Sequence, residues 1–304
     1  MATVDLMAHT HHAPDDASHS DAHHHHAHSP HPHGTLGHEQ PDAGSMATLL
    51  DLDAAVTGHY LDDVAGRIEA LVTRPTRVID LGSGTGTGTL ALARRFPTAQ
   101  IVALDNSTEL LERVATAASR DGIDDRVRTV TADLDHALPA EVIDVDIAWA
   151  SSTMHHFADP GALLSSTFAA MRPGGVLAVV EIDELPTFLP ADTAEGEVER
   201  RLRASANARH WNAHPDWSST ITDAGFELVD TIDVVTHIDN PPHAARDYAA
   251  LWIGRARNGL ADEITDDDRT VLDRLLGDGP TSVSARDDLV VDARRVAWLA
   301  RRPA

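Results

Sequence analysis

Past residue 46 the apolar positions of the chain follow two rhythms. Leu49, Leu50, Leu52, Ala55, Val56, Tyr60, Leu61, Val64, Ile68 and Leu71 recur at spacings of three and four, the repeat of an amphipathic helix. Short apolar runs follow, each of the length of a buried strand: Arg77–Leu81, Ile101–Asp105, Val127–Thr131, Val145–Ala150 and Val176–Ile182. Helical patterns lie between them. One runs through Phe96 and is closed by Pro97, one starts at Asn106 with Glu109 three residues on, and one spans Pro160–Met171. Strands alternating with helices predict an α/β fold with a doubly wound, mostly parallel sheet. Phe226–Val235 and Arg295–Arg301 read as two last strands, which brings the sheet to seven.

Two stretches elaborate this plan. Residues 184–225 carry a helical pattern from Thr193 to Asn212, whose glutamates and arginines mostly form a solvated face. Residues 239–292, with Tyr248, Leu251, Trp252, Ile253, Leu260, Ile264, Val271, Leu272, Leu275 and Leu276, predict two or three more helices. This second insertion either caps a site or buries a homodimer surface. The sequence leaves both open.

Residues 1–45 share neither rhythm. They hold 12 of the 20 histidines, six acids and no Lys or Arg, and large apolar side chains are almost absent. Such a segment cannot bury enough surface to offset its chain entropy and is expected to be disordered. The run His23–His33 predicts adventitious binding of divalent metal. The expected organisation is therefore a histidine-rich tail over 1–45 and one domain over 46–304, opening with a helical lid over 46–75.

Charge narrows the function. Asp and Glu number 48 against 24 cations, a net −24, and every cation is arginine. That surface repels nucleic acid and anionic membrane, whose affinity depends on cationic contacts. The absence of cysteine excludes disulfides, thiolate metal sites and cysteine nucleophiles. No apolar run approaches the ~18 residues of a membrane helix, and no secretory leader is visible, so a cytoplasmic protein is expected.

The chemistry starts where the first strand runs into Gly82-Ser83-Gly84-Thr85-Gly86-Thr87-Gly88. Glycines there let backbone approach a ligand, and the following helix start offers unpaired N–H groups. A phosphate loop would need lysine, which the chain lacks. The dinucleotide spacing is met only from Gly86 to Ala91, already inside the helix. What remains is an acid, Asp80, followed by glycines at alternate positions. With Asp105 ending the second strand, Asp133 and Leu134 following the third, and Arg172-Pro173-Gly174-Gly175 before the fifth, the chain resembles the class I S-adenosylmethionine (SAM) dependent methyltransferases.

The resemblance covers residues 50 to 183 and implies a Rossmann-like methyltransferase fold with SAM as cofactor and S-adenosylhomocysteine as product. It implies that Asp80, Gly82, Ser83, Gly84 and Gly86 hold the methionine end, Asp105 and Asn106 the ribose, and Asp133 and Leu134 the adenine. Ala150 and Ser151, at the tip of the fourth strand, join this set. His155 and His156 match a histidine segment of small-molecule methyltransferases, which implies a general base, His156 before His155, aided by Glu181 on the fifth strand. For an acceptor pocket the candidates are Tyr60 and the cluster His210, Trp211, His214 and Trp217, whose aromatic bodies suit a small-molecule wall. Those tryptophans equally suit anchoring of a helix onto the sheet. His210 and His214 would share a helical face, but no third ligand accompanies them, so no metal site is assigned. The expected reaction is methyl transfer to a hydroxyl or amine of a small molecule. The alternatives are a methyltransferase fold that uses SAM without transferring methyl, and a metal-binding protein acting through its tail.

Overall fold

The computed structural model describes residues 43–304. The histidine-rich tail lies outside the described residues, apart from its last three positions, which already belong to a helix. Helix α1 (Ala43–Thr57) and helix α2 (His59–Leu71) replace the single helix that the spacing predicts, with Gly58 between them. A parallel core follows: β1 (Arg77–Leu81), α3 (Thr87–Arg95), β2 (Gln100–Asp105), α4 (Thr108–Arg120), β3 (Val127–Thr131), β4 (Val145–Ser151), α5 (Pro160–Ala170) and β5 (Met171–Thr187). Then come α6 (Ala194–Ala208), α7 (Ser218–Asp223), β6 (Glu227–Asp239), α8 (Ala244–Gly259), α9 (Asp266–Leu275) and β7 (Val290–Arg301).

The seven strands lie in the order β3-β2-β1-β4-β5-β7-β6, and β7 runs antiparallel to both of its neighbours. The chain reverses its strand order beside β1 and β4, and in such sheets ligands bind at the carboxyl ends of those strands. The central strands β1 and β4 are buried almost throughout, which is why they read as continuous apolar runs. Two core clusters fill the faces of the sheet. Ile68, Leu92, Val114 and Trp149 belong to one, and Leu81, Met154, Leu164 and Trp298 to the other.

A third cluster accounts for the insertions. Phe188 and Leu189 past β5, Val198 and Leu202 of α6, Tyr248 and Ile253 of α8, and Leu272 of α9 pack together with Val56 of α1. The insertions thus build a second core against the first helix. Strands β5, β6 and β7 are longer than the predicted runs because their ends continue into this cluster, with Thr187 paired to Asp292 and Asp239 to Val290. Among the described residues, no helix is long and apolar enough to cross a membrane.

Candidate active site

The carboxyl ends of β1, β2 and β4 open into a cavity of about 540 Å³, within the range of small-molecule sites. The loop after β1 forms one wall. Gly82 has φ +66 and lies so close to β4 that a Cβ would stand 2.1 Å from Thr153 Oγ1, a distance no side chain tolerates. The backbone N–H of Ser83 donates to the Leu104 carbonyl at 2.9 Å. Gly84 N–H donates to Asp105 Oδ2, also at 2.9 Å, while Asp105 Oδ1 accepts from Ser107 N–H. The loop is therefore tied to the end of β2 by both main chain and side chain.

Asp80 closes β1 and lines the cavity. Its carboxylate accepts from Thr89 Oγ1 at 2.6 Å. Burial, reinforced by the charge of Asp105, pushes its pKa up to about 7 against the opposing Thr89 hydrogen bond. Around it stand buried polar atoms with no hydrogen-bond partner among the described residues: Ser83 Oγ, Thr85 Oγ1 and Trp149 Nε1. All three residues line the cavity. Buried groups of this kind need a partner, and the cavity is where one would sit.

Most of the sequence-predicted cofactor residues come together here. Asp80, Gly82, Ser83, Gly84, Asp105, Asn106, Asp133, Leu134 and Ser151 line the cavity. Gly86 and Ala150 do not. Gly86 caps α3 at φ +88, where a Cβ would meet Val114 of α4 at 2.8 Å, so its role is close packing of two helices. Ala150 is fully buried within the sheet and belongs to the second core.

The histidine pair divides. His156 lines the cavity, as does Tyr60, whose hydroxyl lies 3.1 Å from Ser151 Oγ. His155 turns away, and its Nδ1 sits 2.8 Å from Oε2 of the fully buried Glu181. The two imidazole rings stand 4.0 Å apart between centroids. Glu181 Oε1 has no partner among the described residues.

The cluster from His210 to Trp217 is not brought to the cavity. The predicted helix stops at Ala208, and His210 and Asn212 take left-handed backbone conformations, φ 59° and 55°. The chain therefore turns there, and the helical face that His210 and His214 would have shared does not form. Trp211 is buried in the third core against Gly259, and Trp217 in the second. His210 is exposed, while His214 lies edge-on to Trp298 with Nε2 3.1 Å from the Ile182 carbonyl oxygen.

Sequence reasoning missed a polar network behind the cavity. Asp53 of α1 lines the cavity and takes Arg295 Nη2 of β7 on both oxygens, at 2.8 and 2.6 Å. Tyr248 donates to Asp53 Oδ1 at 2.9 Å, and Arg295 Nη1 reaches Ser152 Oγ at 3.3 Å. The Arg295 guanidinium lies 4.3 Å from the Tyr60 ring centre. Ser152 itself has φ 52°, a strain that functional sites often carry. No local spacing signals this network, because its members are separated by up to 242 residues.

Residues 78–175 match the family model described as a methyltransferase domain. Trans-aconitate 2-methyltransferase of Variovorax paradoxus is 32% identical over 54% of this chain and 59% of its own length. The chain thus spans less than two thirds of that relative. Malonyl-[acyl-carrier protein] O-methyltransferase of Laribacter hongkongensis is 28% identical over 77% of this chain and 80% of its own. Among solved structures, a protein of Anaeromyxobacter dehalogenans assigned as a type II methyltransferase superposes with a TM-score of 0.53, at 19% identity over 79% of this chain and 96% of its own. One from Bacillus halodurans, assigned as a methyltransferase, gives 0.51 at 18% identity, covering 80% and 98%. These two show the shared fold. The domain match lies over the strands and the glycine loop that build the cavity.

Proposed function

We propose that the chain transfers the methyl group of SAM to a hydroxyl or amine of a small molecule. The observation that carries this reading is the set of unpartnered buried atoms, Ser83 Oγ, Thr85 Oγ1 and Trp149 Nε1, facing a cavity beside Asp80 and Asp105. These donors and acceptors fit a zwitterionic amino-acid end next to a sugar. Ser83, Gly84 and Asp80 would hold the methionine portion, Asp105 and Asn106 the ribose, and Asp133 and Leu134 the adenine. The cofactor supplies an electrophilic methyl carbon on a sulfonium.

The remaining work falls to the chain. Aligning the acceptor against that methyl is worth about 7–11 kcal/mol where geometry is held. Met46 and Leu50 of α1 and Tyr60 of α2 line the cavity, so the two helices act as a lid that excludes water. His156 is the group on the wall suited to accept the acceptor's proton, since a neutral imidazole serves as base near pH 7. His155, held by Glu181, packs against the His156 ring and fixes its placement. The relative named for trans-aconitate supports a small acceptor. Transfer takes place in the cytoplasm and depends on the histidine-rich tail over 1–45 at most through the three residues that open α1, so deletion of residues 1–42 leaves it intact.

Titration calorimetry with S-adenosylhomocysteine tests the cofactor assignment, and radiolabelled SAM with a small-molecule extract tests transfer. Absence of heat with both SAM and its product overturns the reading.

A further inference from the structure

The cavity wall is charged in one sense. Asp53, Asp80, Asp105, Asp133 and Asp135 line it, and no arginine does among the described residues. The undescribed residues cannot supply one, since the first cation of the chain is Arg67 and lysine is absent. On the side formed by α1 and α2, positive charge stands only one layer back. Arg295, 3% exposed, lies behind Asp53, with its Nη2 held by both carboxylate oxygens and its other terminal nitrogen near Ser152. Thr57 and Tyr248 also donate to Asp53 Oδ1. The acid is thus fixed between the cavity and the only recorded cation contacting that wall among the described residues.

We infer that the Asp53–Arg295 pair is a charge filter for the acceptor: Asp53 occupies the guanidinium that would otherwise receive an anionic group, so the site admits neutral or cationic acceptors and rejects carboxylates. This inference rests on the methyl-transfer reading and narrows it to alcohols, phenols and amines, which sets the chain apart from the relatives named for the carboxylates trans-aconitate and malonyl-[acyl-carrier protein]. The physical reason is that specificity is set as much by penalties as by attractions. A carboxylate entering beside Asp53 loses its hydration next to a fixed acid, and the guanidinium behind that acid already has its partner. An amine or hydroxyl meets Tyr60, Ser151, Ser152 and His156 with no such penalty.

Benzoate, benzyl alcohol and benzylamine share a ring and differ in the charge of one group, which makes them suitable probes. The full chain is first saturated with S-adenosylhomocysteine, and calorimetry at this step reports on the cofactor reading alone. Each probe is then titrated into the binary complex of the wild type, Asp53→Asn and Arg295→Gln. Because each substitution strands one buried charge, either variant that folds decides the matter. Asp53→Asn should gain benzoate affinity by about tenfold or more, the scale of a freed guanidinium–carboxylate contact. Arg295→Gln should gain benzylamine affinity on a similar scale and continue to exclude benzoate. If cofactor binds but benzoate behaves identically in the wild type and Asp53→Asn, or benzylamine identically in the wild type and Arg295→Gln, the filter is overturned. A wild-type complex that binds benzoate as tightly as benzylamine overturns it without any variant.

Discussion

Asp105 Oδ2 accepts the backbone N–H of Gly84 at 2.9 Å, which couples the end of β2 to the glycine loop after β1. The acid therefore has two tasks. One oxygen shapes the loop, while Oδ1 is held by Ser107 N–H and retains a second lone pair. On the proposed reading, Asp105→Ala removes both the charge-assisted contacts to a ribose and the tie on the loop. Affinity for S-adenosylhomocysteine should fall by roughly 2 kcal/mol or more. Calorimetry checks this, and unchanged affinity would remove Asp105 from the ribose site.

Asp80 predicts a pH dependence. Burial raises its pKa to about 7 from an ordinary value near 3.8. The free protein thus binds more protons than the unfolded chain between these values, so the contribution of Asp80 to stability is greatest at low pH and is lost as pH rises toward 7. On the proposed reading a cofactor ammonium would favour the carboxylate, and the sign for binding is the reverse. Affinity should fall as pH drops below 7, by up to about tenfold per unit. A proton should be released on binding at pH 6. Calorimetry in buffers of different ionisation enthalpy measures that proton directly, and zero release at pH 6 would contradict the linkage.

The division of the histidine pair makes the two substitutions separable. His156→Ala should lower turnover, by the ~10²–10⁴-fold that acid–base assistance supplies, with little change in cofactor affinity. His155→Ala should act mainly on folding, because it leaves the fully buried Glu181 without its only recorded partner. Loss of one partner from a buried pair costs about 3–5 kcal/mol. Chemical denaturation read beside a turnover assay distinguishes the two. Equal loss of stability in both variants would mean that the pair acts as one structural unit.

The strand-end residues that line the cavity were legible in the sequence for a physical reason. Asp80, Gly82, Gly84, Asp105 and Asp133 all stand at ends of parallel strands, and the strands announce themselves as apolar runs bounded by turn residues. The acceptor side has no such grammar. Asp53 and Arg295 meet only because β7 inserts between β5 and β6, next to the N-terminal helices. The His210–Trp217 cluster misled for the converse reason. Its aromatic content was visible, whereas the left-handed residues His210 and Asn212 that turn it into the core carry no pattern marking them as such. The two-helix opening was hidden because Leu52, Val56, Tyr60 and Val64 keep one apolar spacing straight through the break at Gly58.

Trp211 offers the cleanest separation of core from site. It is 6% exposed and packs within the third cluster beside Leu202, Ile253 and Ala256. Gly259 fits beneath it so closely that a Cβ there would lie 2.6 Å from the indole. A tryptophan on the acceptor wall would, on truncation, lose acceptor affinity and leave folding nearly unchanged. A core tryptophan behaves the opposite way. Trp211→Ala should cost about 3–5 kcal/mol of stability, the range for deleting a large buried aromatic, while the surviving folded fraction binds S-adenosylhomocysteine with wild-type affinity. Gly259→Ala, which fills the same contact from the other side, should also destabilise, since overpacking costs about 1–3 kcal/mol. Urea denaturation of both variants, with calorimetry below the transition, gives the two readings, and a stable Trp211→Ala protein would place the third cluster outside the cooperative core.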